Sequence, residues 1–136
     1  MSLDAQKLYD IARAALRPME LGRHGEAGQV ACALESASGA VYTGICIDLP
    51  CSLGFCAEQA AAAQMLKDGE TSILRIVAVH EEDGAIPPCG RCREFLIQLD
   101  DANADTLVVV PTSDKAGLRE VRLAELLPAR RDEDRV

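Results

Sequence analysis

The sequence predicts a three-layer α/β/α sandwich, with helices on both faces of a central mixed β-sheet. Two apolar, β-branched runs at residues 72–80 and 106–112 have the continuous hydrophobicity of strands that are buried on both faces. Helical segments separate the strands along the chain, which gives the order α-β-β-α-β-α-β-(β)-α. At 136 residues the chain is long enough for one domain with a sizeable core, and we predict a single domain over 1–136.

Each element follows from a periodicity and from the residues that end it. Apolar residues at helical spacing predict a first helix over 3–17, which Pro18 ends. A tight turn between two strand-like runs predicts a β-hairpin over 29–48. An Ala-rich helix is predicted over 55–67, before Asp68-Gly69. The remaining predicted elements are a strand over 72–80, a short helix over 90–99, a strand over 106–112 and an edge strand from 119 that leads into a helical turn.

The segments between these elements are predicted to be irregular. The Gly-rich stretch over 19–28 and the stretches over 49–54 and 81–88 are predicted loops. Residues 129–136 are charged and predicted to be a frayed tail.

The bulk composition excludes several classes of partner. The net charge is −8, whereas a protein that binds nucleic acid usually carries a basic surface. No apolar run approaches the length of a membrane span, and no basic leader precedes an apolar segment. We therefore expect a cytoplasmic protein with a small-molecule substrate, in which the six cysteines are mostly reduced.

Three cysteines form the strongest candidate site. Cys56 opens the Ala-rich helix, and Cys89 and Cys92 form a Cys-x-x-Cys pair at the start of the next helix. Thiolates suit Zn²⁺, which prefers tetrahedral sulfur and nitrogen ligands, and a helix N-terminus favours the thiolate form of a cysteine. Three protein ligands leave a fourth position for water, as in catalytic zinc sites. The alternatives are a closed site with Cys51 as the fourth ligand, or plain buried thiols.

Glu58 is the candidate catalytic residue. It follows Cys56 by two positions, which is about 200° around a regular helix, so it shares the site only if Cys56 lies at the irregular first turn. A carboxylate beside the metal can take a proton from water and give it to a leaving group. We therefore expect that Cys56 holds the metal and Glu58 moves protons.

The sequence "CAE" at 56–58 together with "PCGRC" at 88–92 resembles the zinc-dependent cytidine deaminase superfamily in its three-cysteine form. The similarity covers most of the chain, and the short length resembles the small tetrameric cytidine deaminases and blasticidin S deaminases. The resemblance implies a cytidine deaminase-like fold, zinc bound by Cys56, Cys89 and Cys92, and Glu58 as the proton shuttle. It further implies a homotetramer that deaminates a cytosine-type ring by hydrolysis and releases ammonia.

Four residues are candidates for substrate binding. Cys46 and Asp48 stand where cytidine deaminases usually have an Asn and a Glu that hold the sugar hydroxyls. A thiol is a poorer hydrogen-bond partner than an amide, so either the sugar is held differently or the substrate is not a simple nucleoside. Gln29 lies in the pyrimidine-binding segment, where the family commonly has Phe, and the resemblance also places Ala57 at the substrate. Plain packing of Cys46 and a strand-end role for Gln29 are the alternatives.

Three residues near the thiols are candidates to offset the negative charge of a zinc ion bound by three thiolates. Gln59 stands where small cytidine deaminases commonly have an Arg for this purpose. Because Gln59 is a neutral donor, part of the task is expected to fall to Arg91 or Arg93. The alternative, favoured for one of the two, is a solvated arginine on an exposed helix face.

The substrate class has several candidates. They are cytidine or deoxycytidine, a cytosine-nucleoside antibiotic such as blasticidin S, and another aminated heterocycle. Cys46, Asp48 and the lack of an aromatic residue after Pro128 point away from ordinary cytidine. A catalytically silent, zinc-stabilised binding protein is the alternative of a different class, and the presence of Glu58 argues against it. Nucleic-acid editing is disfavoured by the negative charge and the 3% aromatic content.

Overall fold

A seven-stranded mixed β-sheet forms the centre of the computed structural model, which describes residues 3–130. The strands are β1 (Met19–Leu21), β2 (Gly25–Ser36), β3 (Val41–Asp48), β4 (Ile73–His80), β5 (Gly84–Ile86), β6 (Leu107–Pro111) and β7 (Leu118–Arg122). The helices are α1 (Ala5–Ala15), α2 (Ala57–Lys67) and α3 (Gly90–Leu99), and short 3₁₀ turns occupy Pro50–Ser52, Asp101–Asp105 and Leu123–Leu126.

The strand order places β4 in the middle of the sheet. β2 lies on one side of β4 and β6 on the other, with β3 beyond β2 and β7 beyond β6. The β4–β6 pair is parallel, and the other pairs are antiparallel. The short strands β1 and β5 pair with β2 and β4. The mixed central sheet of the prediction is therefore confirmed.

Helices cover both faces of this sheet. Leu8 and Ala12 of α1 pack with Val77, Val79 and Val109 on one face. The other face packs against α2 and α3 through a second cluster that includes Ile76, Val108, Val110, Ala61, Met65 and Leu96. Successive residues of β4 and β6 thus enter opposite clusters, as period-2 geometry requires. The three-layer α/β/α sandwich predicted from the buried strands is confirmed.

The small residues of α2 allow its backbone to approach β3 closely. A Cβ atom at Gly44 of β3 would lie 2.4 Å from the backbone nitrogen of Ala61 and 2.7 Å from the Cβ of Ala60. Both positions must therefore stay small, which explains the Ala-rich composition of the helix. This contact fixes α2, and with it the two site residues at its N-terminal end.

Two predicted loops contain short strands. Residues 19–28 include β1 and the start of β2, and residues 81–88 include β5. Both segments are rich in Gly or Pro, which hides the period-2 signal, and their strand character comes from backbone pairing with β2 and β4. Within the predicted tail over 129–136, the Arg130 guanidinium pairs with Glu94 at 2.7 Å. Residues 131–136 of that predicted tail lie outside the described residues.

Some helix bounds also differ from the prediction, and the first helix covers Ala5–Ala15 rather than 3–17. Phe55, which we placed in the second helix, instead forms an antiparallel bridge with Ile47, so α2 begins at Ala57. The C-terminal helical turn is a 3₁₀ turn.

Across residues 3–130, no helix combines the length and the apolar character needed to cross a membrane.

Candidate active site

The starts of two helices bring three thiols together. Cys56 is the N-cap of α2 and Cys89 the N-cap of α3, both with extended backbone, while Cys92 lies in the first turn of α3. The three Sγ atoms all lie within 4.8 Å of one another, and those of Cys56 and Cys89 are 3.7 Å apart. Cys51 is exposed, and it is not part of this group. The closed four-cysteine alternative therefore has no support here.

Glu58 is buried beside these thiols. Because Cys56 lies outside the regular helix, Glu58 falls in the first turn of α2 and lines the same cleft as Cys56 and Cys89. Its side chain is only 5% exposed. Burial raises the pKa of the Glu58 carboxyl, while hydrogen bonds from its own backbone N–H and from the Cys92 thiol act in the opposite direction. A buried carboxyl with a raised pKa is suited to moving protons.

The thiols have opposing electrostatic environments. Burial raises the pKa of Cys92, and the charge of Glu58 raises it further. Burial acts to raise the pKa of Cys89 as well. That pKa is nevertheless lowered, because the thiolate accepts hydrogen bonds from the backbone N–H groups of Cys92 and Arg91 and from the neighbouring thiols. Burial raises the pKa of Cys56. Three such thiols ionise together only with a cation among them, as thiolate ligands require.

The thiol cluster fits zinc in both spacing and chemistry. Sulfur atoms at about 2.3 Å from a tetrahedral zinc ion lie roughly 3.8 Å apart, close to the 3.7 Å between Cys56 and Cys89. The donor set of three thiols is the kind that zinc prefers over magnesium or calcium. Cys56 and Cys89 line the cleft, whereas Cys92 is buried.

The cleft has a volume of about 500 Å³. Its polar lining side chains are Cys46, Asp48, Ser52, Cys56, Glu58, Cys89 and Arg91, and its apolar side chains include Val30, Phe55, Ile86 and Pro87. Ala57 also lines it. The structure thus gathers Cys46, Asp48 and Ala57 of the predicted substrate residues around the thiols. Phe55 and Ile86 were not predicted as lining residues, because neither lies in a motif.

Gln29 does not line the cleft, but its side chain contacts Cys46, which does. Its Oε1 accepts a hydrogen bond from the Cys46 thiol at 3.3 Å, and its Nε2 donates to Glu26 at 2.8 Å. A bulge in β2 between Ala27 and Ala31 makes this possible, because residues 28–30 there face the single residue Cys46 of β3. Glu26 was not singled out in the sequence, because it lies in a predicted loop and in no motif; in the structure it pairs in register with Asp48.

Gln59 has an unusual environment. Its Nε2 is the one buried side-chain nitrogen or oxygen in residues 3–130 that has no hydrogen-bond partner. The backbone N–H of Gln59 donates to the backbone oxygen of Cys56 at 3.1 Å, so the two residues are neighbours at the first turn of α2. A buried amide without a partner is costly, and a thiolate or a ligand next to it would provide one.

The two arginines of α3 differ in position. Arg91 is exposed and lines the cleft. Arg93 is half-buried, and its guanidinium donates to the backbone oxygen of Pro88 at 2.8 Å and to that of Leu126 at 3.3 Å. Arg93 therefore connects the loop that carries Cys89 to the C-terminal turn.

Residues 5–109 match the family model for the cytidine and deoxycytidylate deaminase zinc-binding region. The chain belongs to this family. The cytidine deaminase of Halalkalibacterium halodurans is 32% identical over 101 residues, covering 74% of each chain. That of Sporosarcina psychrophila is 30% identical over 100 residues, covering 73% of this chain and 71% of the relative. The crystal structure of a mutant cytidine deaminase from Mycobacterium tuberculosis has a TM-score of 0.79 at 26% identity, covering 99% of this chain and 100% of that one.

These similarities confirm the family, the enzyme class and the metal that the sequence motifs imply. The chain is a hydrolase of the cytidine deaminase family, and its cofactor is zinc. The three-cysteine group lies within the matched region. The family match agrees with the observed α/β fold.

Proposed function

We propose that this cytidine deaminase family member hydrolyses the exocyclic C–N bond of cytosine nucleosides and releases ammonia. The observation that carries the proposal is the buried carboxyl of Glu58 beside three clustered thiols at a cleft of about 500 Å³. The relatives named above are cytidine deaminases, which supports a nucleoside substrate. Water is added and ammonia leaves, so the reaction needs no redox partner.

The residues divide the chemistry among themselves. We propose that Cys56, Cys89 and Cys92 hold the zinc, which when bound supplies a Lewis acid that lowers the pKa of water toward about 7. Glu58 would take a proton from the attacking water and deliver it to the departing amino group. Its burial removes competing solvent, which strengthens each of these interactions.

The remaining lining positions the ring. Val30, Phe55 and Ile86 offer apolar surface to the faces of a flat base. The backbone of Ala57, the first residue of α2, lies at the positive end of the helix dipole and suits polar atoms of the ring. Gln29 acts indirectly, by holding Cys46 in the cleft wall.

A cytosine nucleoside with a cationic substituent is the second candidate substrate. The carboxylate of Asp48 lines the cleft, and Asp48 pairs in register with Glu26 on the neighbouring strand. Two acidic side chains directly opposite each other favour a nearby cation. Blasticidin S is the probe for this class.

The test is ammonia release by the zinc-loaded protein from cytidine, 2′-deoxycytidine, cytosine and blasticidin S. We expect turnover of the nucleosides. The ultraviolet absorbance of the ring should then change at the same rate as ammonia is released. Preferential turnover of blasticidin S would favour the second candidate. No ammonia from any of the four compounds, with one zinc bound per chain, would refute the proposed function.

We also propose that the amide of Gln59 donates to the thiolates once zinc is bound, in place of the arginine of its relatives. The support is the buried Nε2 without a partner and its position next to Cys56. Such a donor withdraws negative charge from the sulfur atoms. Arg91, which lines the cleft, is the second candidate for this role, whereas Arg93 is occupied by the carbonyls of Pro88 and Leu126.

Replacing Gln59 by Met should therefore change two properties in opposite directions. Zinc affinity should fall about 10–100-fold, because a donor to the ligands is lost. The metal-free protein should be more stable by about 1 kcal/mol, because the buried amide without a partner is removed. Chelator competition measures the first and urea unfolding the second. Unchanged zinc affinity would show that Gln59 does not serve the thiolates.

We further propose a homotetramer in the cytoplasm. The resemblance to the small tetrameric cytidine deaminases supports the tetramer, and Leu53 and Phe55 next to the cleft expose apolar surface, 72% and 39% of their area. All six cysteines are free, as expected in a reducing compartment.

A further inference from the structure

The buried cysteine on one wall of the cleft has its hydrogen-bond partner within the protein, behind that wall. This strand wall consists of Val30 from β2 and of Cys46, Ile47 and Asp48 from β3. The Cys46 thiol donates to Gln29 Oε1 at 3.3 Å, and Gln29 Nε2 donates to Glu26 Oε2 at 2.8 Å. The three side chains form a chain of donors and acceptors that ends on a carboxylate.

The direction of this chain follows from the chemistry of its end. An ionised carboxylate only accepts hydrogen bonds, so Gln29 must turn its NH₂ group toward Glu26 and its Oε1 toward Cys46. Cys46 then donates its single thiol proton in the hydrogen bond to Gln29 Oε1. The backbone oxygen of Gln29 also accepts from the N–H of Glu81 at 2.9 Å, which holds the residue in place. Cys46 and Gln29 thus need nothing from a substrate.

The other polar side chains of the cleft that do not belong to the thiol–carboxyl centre are exposed. They are Asp48, Ser52 and Arg91. Water can solvate each of them when a ligand offers no hydrogen bond. The one buried side-chain nitrogen or oxygen without a partner in the described chain is Nε2 of Gln59, which lies on α2 and not on the strand wall.

We infer that this strand wall makes the enzyme tolerant of cytosine nucleosides whose sugar lacks hydroxyl groups. A site rejects such an analogue strongly when the missing hydroxyl leaves buried polar groups unpaired. Because the reacting carbon must lie at Glu58 and the thiols, the sugar occupies the rest of the cleft. The described residues that line it hold no buried side-chain nitrogen or oxygen without a hydrogen-bond partner. The inference rests on the proposed deaminase function and specifies its substrate range.

The test compares kcat/KM of the zinc-loaded enzyme for cytidine and for 2′,3′-dideoxycytidine. We expect a ratio below about 30, against the 10⁴–10⁵ of sites built to bind a hydroxyl. A larger ratio with normal turnover of cytidine overturns the inference and leaves the proposed function intact. If cytidine itself is not turned over, the proposed function fails and the inference fails with it.

A variant at Cys46 tests whether this residue is the cause of the tolerance for sugars without hydroxyl groups. Cys46→Asn replaces the single S–H donor by an amide with two N–H donors, which point in different directions, so only one of them can reach Gln29 Oε1. The other N–H is satisfied by a sugar hydroxyl but not by the dideoxy analogue, so the cytidine-to-dideoxycytidine ratio should rise at least about 10-fold. Cys51→Ala removes an exposed thiol outside the cleft lining and should keep the wild-type ratio. If folded Cys46→Asn keeps the wild-type cytidine-to-dideoxycytidine ratio, Cys46 is not the cause of the tolerance. The ratio measured on the wild-type enzyme tests the tolerance itself, and that test does not depend on whether the variant folds.

Discussion

Replacing Glu58 by Gln should lower kcat for cytidine by about 10²–10⁴-fold, the usual contribution of a general acid–base group. The amide keeps the size of the side chain but cannot take a proton from water or deliver it to the departing amino group. Zinc content should remain one per chain, because Glu58 is not among the three clustered thiols. Steady-state kinetics and metal analysis on the same preparation measure both properties.

The matched control is Glu125→Gln, which removes an exposed carboxylate from the C-terminal 3₁₀ turn. It should leave kcat and zinc content unchanged. If Glu58→Gln retained near-normal kcat with full zinc, the proton would move through another group, and our assignment of Glu58 would be wrong. If it lost zinc as well as activity, Glu58 would serve the metal site rather than proton transfer.

The fold was predictable where the sequence signal comes from burial. The β-branched runs of β4 and β6 are apolar on both faces, and the structure places Val77 and Ile76 in opposite core clusters. The short strands β1 and β5 were not predictable in this way, because they arise from backbone pairing to the ends of β2 and β4. The pairing partner of an edge strand is a property of the assembled sheet.

The part of the site that short sequence motifs specify, the three thiols, was predictable from the sequence. Cys56, Cys89 and Cys92 are the residues that the structure gathers, because an N-cap and a first turn place thiols at the same end of two neighbouring helices. Gln29 was expected near the base, whereas its side chain contacts Cys46 and Glu26 behind the cleft wall.

That difference has a physical origin in the bulge of β2. An added residue in one strand re-aims the side chains beside it, and no periodicity in the sequence reports it. Gly28, with φ of +81°, stands at the bulge, and a Cβ there would lie 1.8 Å from the backbone oxygen of Arg17. The glycine was visible in the sequence, but the side chains that it brings together depend on the register between β2 and β3.

Replacing Cys89 by Ala should remove zinc from the protein under mild chelation. If the roughly 10–16 kcal/mol of zinc binding in structural sites is shared equally among four ligands, one thiolate contributes about 3 kcal/mol, which is ~10²-fold in affinity. Cys89 is exposed, so its loss leaves little cavity, whereas Cys92 is fully buried and its replacement would also disturb the core. Competition with a chromogenic chelator gives the affinity, and circular dichroism checks the fold.

The matched control is Cys51→Ala, which also removes an exposed thiol near the cleft. Because Cys51 is outside the thiol group, this variant should keep zinc and activity. Loss of zinc in both variants would instead indicate a closed four-cysteine site, with no coordination position left for water. Retention in Cys51→Ala with loss in Cys89→Ala would leave three protein ligands and an open fourth position, which is the arrangement that a hydrolytic zinc site needs.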